Sequence, residues 1–168
     1  VTASLGTDGL TLSYRLLGDP AGIRLPAPQP PAPADGLWRH TCCEAFVAAV
    51  DGPEYREFNL SPCGRWAAWN FTGYRRRDES WQAVAAPRIS LVHLPDGLQL
   101  DALVPVALFP ADRPLHVSLT AVVEARDGGG LVGDDHPPAH PLVDVAGDAH
   151  YAGAADGARQ VDAGHRDG

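Results

Sequence analysis

Aromatic, carboxylate, amide and guanidinium side chains lie close together in the first half of the sequence. Flat rings can stack against the C–H faces of a sugar or a similar ring compound, and Trp38, Trp66 and Tyr74 supply such rings. Polar side chains that could bind the hydroxyl groups of such a ring lie in the same part of the sequence: Arg39, His40, Glu44, Glu57, Asn59, Asn70 and Arg75. These ten residues are the candidate ligand-binding residues. The alternative for any single tryptophan is that it only packs a sheet edge or a sandwich end.

Two of these residues also allow a catalytic interpretation. Glu44 and Glu57 are expected on neighbouring strands with their side chains on the same side, and directly opposed residues stand about 5 Å apart at Cβ. That separation is typical of the carboxylate pair of a retaining glycosidase. The arginines nearby favour structural, ion-paired glutamates instead. We therefore expect no catalytic residue and keep a glycan-acting hydrolase as the alternative.

Cysteine and histidine spacing does not indicate a metal centre. The chain has three cysteines, Cys42, Cys43 and Cys63, with no CxxC pair, and an odd number cannot be fully paired within the chain. Four of the seven histidines follow position 133 without a spacing that would place two ligands on one face. We predict free thiols, no metal site and no cofactor.

The elements that must position the candidate residues are short strands. The 18 glycines and 16 prolines argue against a helical bundle, whereas apolar residues recur with a period of two. This alternation predicts about seven strands, at 10–16, 41–50, 54–60, 65–74, 89–94, 98–109 and 115–123. The proline-rich stretch 26–33 is expected to be a stiff, polyproline-like connector. The spacing of strands and turns is typical of an all-β fold, an antiparallel two-sheet β-sandwich.

Within these strands, the alternation also predicts which side chains share a face. In the strand at 54–60, Phe58 and Leu60 point inward, while Glu57 and Asn59 point outward. In the strand that follows, Trp69 and Phe71 share one face, and Trp66, Asn70 and Thr72 share the other. That strand therefore carries both core and surface aromatic side chains.

Composition predicts one folded domain and a different C-terminal segment. Residues 1–132 carry the strand pattern, whereas residues 133–168 are rich in Ala, Asp, Gly, His and Pro and have no helical or strand period. We expect this segment to be an irregular tail, either disordered or the product of a frame shift. The first nine residues have no signal-peptide pattern and no window reaches about 18 apolar residues, so a cytoplasmic protein without a membrane partner is expected. A net charge of -8 disfavours nucleic-acid binding.

Four motifs in the middle of the chain resemble a known superfamily. They are WRHTCCEAF at 38–46, YREFNLSP at 55–62, GRW at 64–66 and GYR at 73–75. Over the roughly forty residues from Leu37 to Arg77, the sequence resembles the DOMON-like superfamily, which includes the family 9 carbohydrate-binding modules, and within it a set of small bacterial proteins. The resemblance implies a β-sandwich with a ligand-binding face. Haem-binding relatives use axial Met and His, and this chain has no Met, so the resemblance allows haem only through two histidines.

Together, these observations predict a noncatalytic ligand-binding module. Its ligand would be a carbohydrate or a similar polar ring compound, held by aromatic stacking and by side-chain hydrogen bonds on one sheet face. The expected partner is thus a small molecule or glycan, and the sequence points to no particular partner protein. A hydrolase that uses the glutamate pair and a haem or redox module are the two alternatives.

Overall fold

A computed structural model describes residues 1–110, 114–126, 131–132, 143–144 and 149–150 of the chain. Eleven strands are present in these segments: β1 (Thr2–Leu5), β2 (Gly9–Leu17), β3 (Cys42–Ala49), β4 (Tyr55–Leu60), β5 (Trp66–Phe71), β6 (Arg88–Leu94), β7 (Gly97–Pro105), β8 (Leu115–Glu124), β9 (Leu131–Val132), β10 (Val143–Asp144) and β11 (Ala149–His150). Three single-turn 3-10 helices, at Pro20–Gly22, Leu37–Arg39 and Val106–Leu108, are the helical elements of these segments. No helix in the described segments is long and apolar enough to cross a membrane.

The strands form two antiparallel sheets. The first sheet has the order β11-β1-β2-β7-β6, and the second has the order β10-β8-β3-β4-β5, with β9 paired to the end of β8. Each sheet has four principal strands, and the remaining pairings are of two residues each. The prediction of an antiparallel two-sheet β-sandwich is confirmed.

Apolar side chains from both sheets meet in one core. Leu10, Leu12 and Tyr14 of β2 alternate with exposed or half-buried residues, as expected for a strand with one covered face. Phe58 and Leu60 of β4 are fully buried in the same core, as the alternation predicts. The two sheets are also joined by a hydrogen bond that the buried Tyr14 hydroxyl donates to the backbone carbonyl of Glu44 at 2.6 Å. This bond fixes the middle of β3 relative to the first sheet.

The structure differs from the predicted strands at β1, at the end of β7 and at the end of β5, which stops at Phe71 and not at residue 74. The short strand β1, which pairs with β2, was not predicted, because four residues show too little alternation to mark a strand. The strand predicted to run to Phe109 ends at Pro105, whose ring removes a backbone donor, and Val106–Leu108 forms a 3-10 turn. The backbone N–H of Val106 donates instead to the carbonyl of Asp8.

The two remaining structural predictions concern loops. No regular element covers 26–33, and this connector is held beside the second sheet: Gln29 N–H donates to the carbonyl of Cys63, and Ala34 N–H donates to that of Trp66. The proline-rich connector thus covers part of the β5 edge, which would otherwise present unpaired backbone groups.

The predicted irregular tail at 133–168 lies outside the described residues except for β10 and β11, so the domain boundary at 132 stays a prediction.

Candidate functional site

The second sheet presents polar and aromatic side chains on its face away from the core, here called the outer face. Strand register aligns these side chains in rows across β8, β3, β4 and β5. The rows are His116–Ala48–Tyr55–Phe71, Ser118–Phe46–Glu57–Trp69 and Thr120–Glu44–Asn59–Ala67. All eight residues of β3 are buried, so this sheet is covered on both sides at its centre.

Glu57 and Asn59 form the polar centre of the outer face. Both belong to β4, two residues apart, so their side chains leave the same face of the strand. The amide Nδ2 of Asn59, which is fully buried, donates to Oε1 of the half-buried Glu57 at 2.9 Å. Burial raises the pKa of Glu57, and this effect outweighs the Asn59 hydrogen bond and the Arg77 charge, which both lower it. The site therefore holds a carboxylate that takes up a proton more readily than an exposed glutamate does.

Two tryptophans stand beside this carboxylate. Trp69 of β5 is directly opposite Glu57 in the strand register, and its ring meets the ring of Trp38 edge-on at 5.6 Å between centroids. Trp38 belongs to the 3-10 turn Leu37–Arg39, which contacts both β3 and β4. The Arg77 guanidinium lies 5.2 Å from the Trp69 ring centroid. Trp38 is half-buried, whereas Trp69 is only 8% exposed, so Trp38 is the more accessible of the two tryptophans.

A second group of rings continues the outer face toward the Val50–Glu54 turn. Tyr55 stacks on Phe71 with centroids 4.6 Å apart and planes only 3° from parallel, and it meets Phe46 at 6.4 Å. Phe46 in turn lies directly opposite Glu57. Glu57 is therefore flanked in its row by Phe46 on one side and Trp69 on the other.

The two glutamates share the outer face but do not oppose each other. Glu44 pairs with Asn59, whereas Glu57 pairs with Phe46, so the carboxylates are diagonal neighbours. Diagonal positions lie about 7–8 Å apart at Cα, farther than a directly opposed pair. The expectation that they share a side is confirmed, and the direct cross-strand opposition is wrong. Glu44 is only 5% exposed, which makes it a buried member of the site.

Trp66 and Asn70 do not belong to this face. Trp66 pairs with Leu60 and Asn70 pairs with Arg56, which places both on the inward side of the second sheet. Trp66 is 7% exposed and packs on that side; Trp69 and Phe46, at 8% and 4%, are equally buried and support the outer face without being exposed on it. Their grouping with Glu57 and Asn59 on one binding face is wrong, because the face of β5 that meets Glu57 is the one that carries Trp69.

The four remaining candidate residues are exposed at the margins. Tyr74 is 64% exposed and contacts the guanidinium of Arg75, which has a left-handed backbone with φ of 55°. Arg39 is exposed on the turn that carries Trp38. His40 Nδ1 lies 2.9 Å from Oε2 of Glu124, on the edge of the same sheet. None of these contacts places the four side chains in the rows of the outer face.

The three cysteines are free, as predicted, and all three are buried. Burial raises the pKa of the Cys42 and Cys43 thiols, so both remain protonated and unreactive at neutral pH. In the described part of the chain, no group of three or more His, Cys, Asp or Glu side chains is arranged to hold a metal ion.

Sequence reasoning missed Trp69, Phe46 and Arg77 as site residues. The alternation correctly separated Trp69 from Trp66, but gave no signal of which side joins Glu57. The missing information is the register between β4 and β5, because directly opposed residues of two paired strands face the same side of the sheet. The turn between β4 and β5 sets this register, and it pairs Glu57 with Trp69.

Comparisons of the chain with protein-family models, with curated proteins and with solved structures gave no match.

Proposed function

We propose that this protein is a noncatalytic ligand-binding module of DOMON-like type, and that its outer face binds a carbohydrate or a similar polar ring compound. One observation carries the proposal: the half-buried carboxylate of Glu57 is oriented by an amide and lies in a row between two buried aromatic residues, one of which supports the half-buried Trp38 edge-on. Rings that stack on C–H faces beside planar hydrogen-bonding groups are what recognition of a sugar ring needs.

Each group has a definite role in the proposal. Trp38 provides the stacking surface, since its ring is partly open and is supported edge-on by Trp69. Glu57 accepts hydrogen bonds from ligand hydroxyls, while Asn59 holds the carboxylate in place. Arg77, which is exposed, is a donor at the same edge. The resemblance between Leu37 and Arg77 to sandwiches with a ligand-binding face supports the same surface.

The test is a thermal-shift screen with a panel of mono- and oligosaccharides, since a ligand that binds only the native state raises Tm. A ligand at ten times its dissociation constant adds about 1.4 kcal/mol to the free energy of unfolding. Trp38→Ala should abolish the shift, while Asp8→Asn, an exposed acidic position beside the first sheet, should leave it unchanged. The proposal is wrong if no sugar shifts Tm, or if Trp38→Ala retains the full shift.

A glycan-acting hydrolase is the second candidate, and one observation favours it. A carboxyl group with a raised pKa next to a second carboxylate on the same face is the arrangement of a general acid and its partner, here Glu57 and Glu44. Glu57→Gln separates the two functions. A binding module has no turnover to lose, whereas a hydrolase would lose turnover of an aryl glycoside and still bind it.

The cytoplasmic location remains part of the proposal. Three free, buried cysteines support a reducing compartment such as the cytoplasm, because cysteines of proteins in oxidising compartments are usually paired in disulfides.

A further inference from the structure

A second binding site is suggested by a cavity at the end of the sandwich, which Tyr55 of the outer face also lines. The cavity has a volume of about 510 Å³ and lies at the end of the sandwich, beside the turn that joins β3 to β4. Val47 and Ala49 of β3 line it on the inward side of the second sheet, and Pro53 and Pro110 line it from neighbouring loops. A volume of this size is within the range of small-molecule sites.

The one arginine that lines this cavity is Arg56. Arg56 lies on the same, inward face of β4 as Phe58 and Leu60. It is near the start of the strand, at the end of the sandwich. It is half-buried, and burial lowers the pKa of its guanidinium. A charge in this position costs free energy unless polar groups compensate it.

Three contacts hold the guanidinium in one orientation. Nη1 donates to the backbone carbonyl of Leu108, Nε lies 3.5 Å from Oδ1 of Asn70, and the Trp81 ring centroid is 5.1 Å from Cζ. Among the described residues, these hydrogen bonds use two of its five N–H donors, and the other three have no protein acceptor there.

In the described part of the chain, no carboxylate forms an ion pair with this guanidinium. Among the residues that the structure describes, the ion pairs join Arg15 to Asp96, both Arg24 and His40 to Glu124, and Arg77 to Glu79, and Arg56 is in none of them. Glu54 also lines the cavity, but it is exposed, and its charge acts on Arg56 without an ion-pair contact. A guanidinium with a fixed plane and free donors is suited to a planar oxyanion.

We propose that this cavity binds a small oxyanion, the carboxylate or phosphate group of a small molecule, through Arg56. Asn70 is a positioning residue, because it holds the guanidinium plane and does not itself need to touch the ligand. Arg56 and Glu57 are on opposite sides of β4, so the two sites use different charged residues, although Tyr55 borders both.

Isothermal titration calorimetry of the full chain with benzoate, benzamide and inorganic phosphate tests the proposal. Benzoate and benzamide have nearly the same shape and differ in charge. Phosphate is an oxyanion without an apolar ring, so comparing it with benzoate shows whether the ring contributes to binding. We expect benzoate or phosphate to bind with 1:1 stoichiometry and benzamide to bind at least tenfold more weakly. Binding of benzamide as tight as benzoate, or no heat from either anion up to 20 mM at about pH 7, would overturn the proposal.

Variants locate the site. Arg56→Gln should weaken anion binding by roughly 10- to 100-fold, as expected for hydrogen bonds to a charged group. Arg88→Gln is the matched control, because Arg88 is an exposed arginine at the start of β6 in the other sheet, and it should bind as wild type does. Glu54→Gln should strengthen binding by about two- to threefold, because it removes a negative charge at the cavity.

One more variant keeps the test decisive if Arg56→Gln does not fold. Ala49→Leu retains the arginine but fills part of the cavity with a larger side chain, so it should also weaken binding at least tenfold. Wild-type affinity in a folded Arg56→Gln or Ala49→Leu protein contradicts the assignment. Because Trp38→Ala alters only the outer face, loss of sugar binding and loss of anion binding can be told apart.

Discussion

Replacement of Asn59 tests whether its amide stabilises a charged Glu57 in the outer face. Asn59 is fully buried and donates to Glu57 at 2.9 Å, and Leu has a similar volume without a donor. A hydrogen bond to a charged group contributes about 1.5–3 kcal/mol, and one between neutral groups about 1 kcal/mol. We therefore expect Asn59→Leu to lower the free energy of unfolding by about 2 kcal/mol at pH 7.5. In the Glu57→Gln background, where the partner is neutral, the same change should cost about 1 kcal/mol.

The pH dependence gives a second, signed readout of the same bond. Burial raises the pKa of Glu57 in the folded state above that of the unfolded chain, about 4.3. The stability this group contributes is fully present below about pH 4.3 and is lost as the pH rises through the folded pKa. Removal of the Asn59 amide raises that pKa further, so the cost of Asn59→Leu should be larger at pH 7.5 than at pH 4.5. Glu57→Gln, which cannot titrate, should gain stability relative to wild type over the same rise in pH.

Urea unfolding of the four proteins of this double-mutant cycle, at both pH values, measures the coupling. The first sheet contains a matched control: Gln99 Nε2 donates to Asp101 at 3.1 and 3.0 Å, also two residues apart on one strand. That pair is not fully buried, so its coupling should not exceed about 0.5 kcal/mol. A coupling between Asn59 and Glu57 no larger than that of the control, or one that does not change with pH, would refute the reasoning.

Three further predictions concern the framework that positions the site. Tyr14→Phe removes the hydrogen bond to the Glu44 carbonyl and should lower the free energy of unfolding by about 1–2 kcal/mol, measured by urea unfolding; an unchanged value would mean that the bond does not join the sheets. Gly97→Ala would place a Cβ atom 2.0 Å from the Leu16 carbonyl oxygen and should cost more than about 3 kcal/mol, whereas Gly22→Ala, with open space around it, should stay within about 0.5 kcal/mol in the same assay. The three buried thiols should not react with Ellman's reagent in the native protein and should all react in denaturant, and rapid native labelling would contradict their burial.

Local patterns were sufficient to predict the sandwich and seven of its eight principal strands, all except β1. Strands β2 and β7 each bury one face and expose or half-bury the other, so their apolar residues alternate clearly. Phe58 and Leu60 were placed inward by the same reasoning and are fully buried. The free state of the cysteines also followed from their number and spacing.

The composition of the outer face was predicted only in part, for a physical reason. Strand β3 is buried on both sides, so its sequence carries no polar–apolar contrast from which to identify the inward face. Register between strands then decides which side chains meet, and a shift of one residue exchanges the faces. Because of this register, Glu44 lies opposite Asn59 and not opposite Glu57. For the same reason, Trp69 and not Trp66 lies opposite Glu57.

Local sequence pattern is enough to predict that this chain forms strands, that these strands pair in antiparallel hairpins, and that a set of aromatic and polar residues lies in β3, β4 and β5. These properties depend on alternation and on turn residues, which act over a few positions. The folded arrangement is needed to place Glu57 between Phe46 and Trp69, and to place Arg56 at a cavity on the other side of the same strand. Both depend on strand register and on how the loops close the sandwich end, which are set by contacts between residues far apart in the chain.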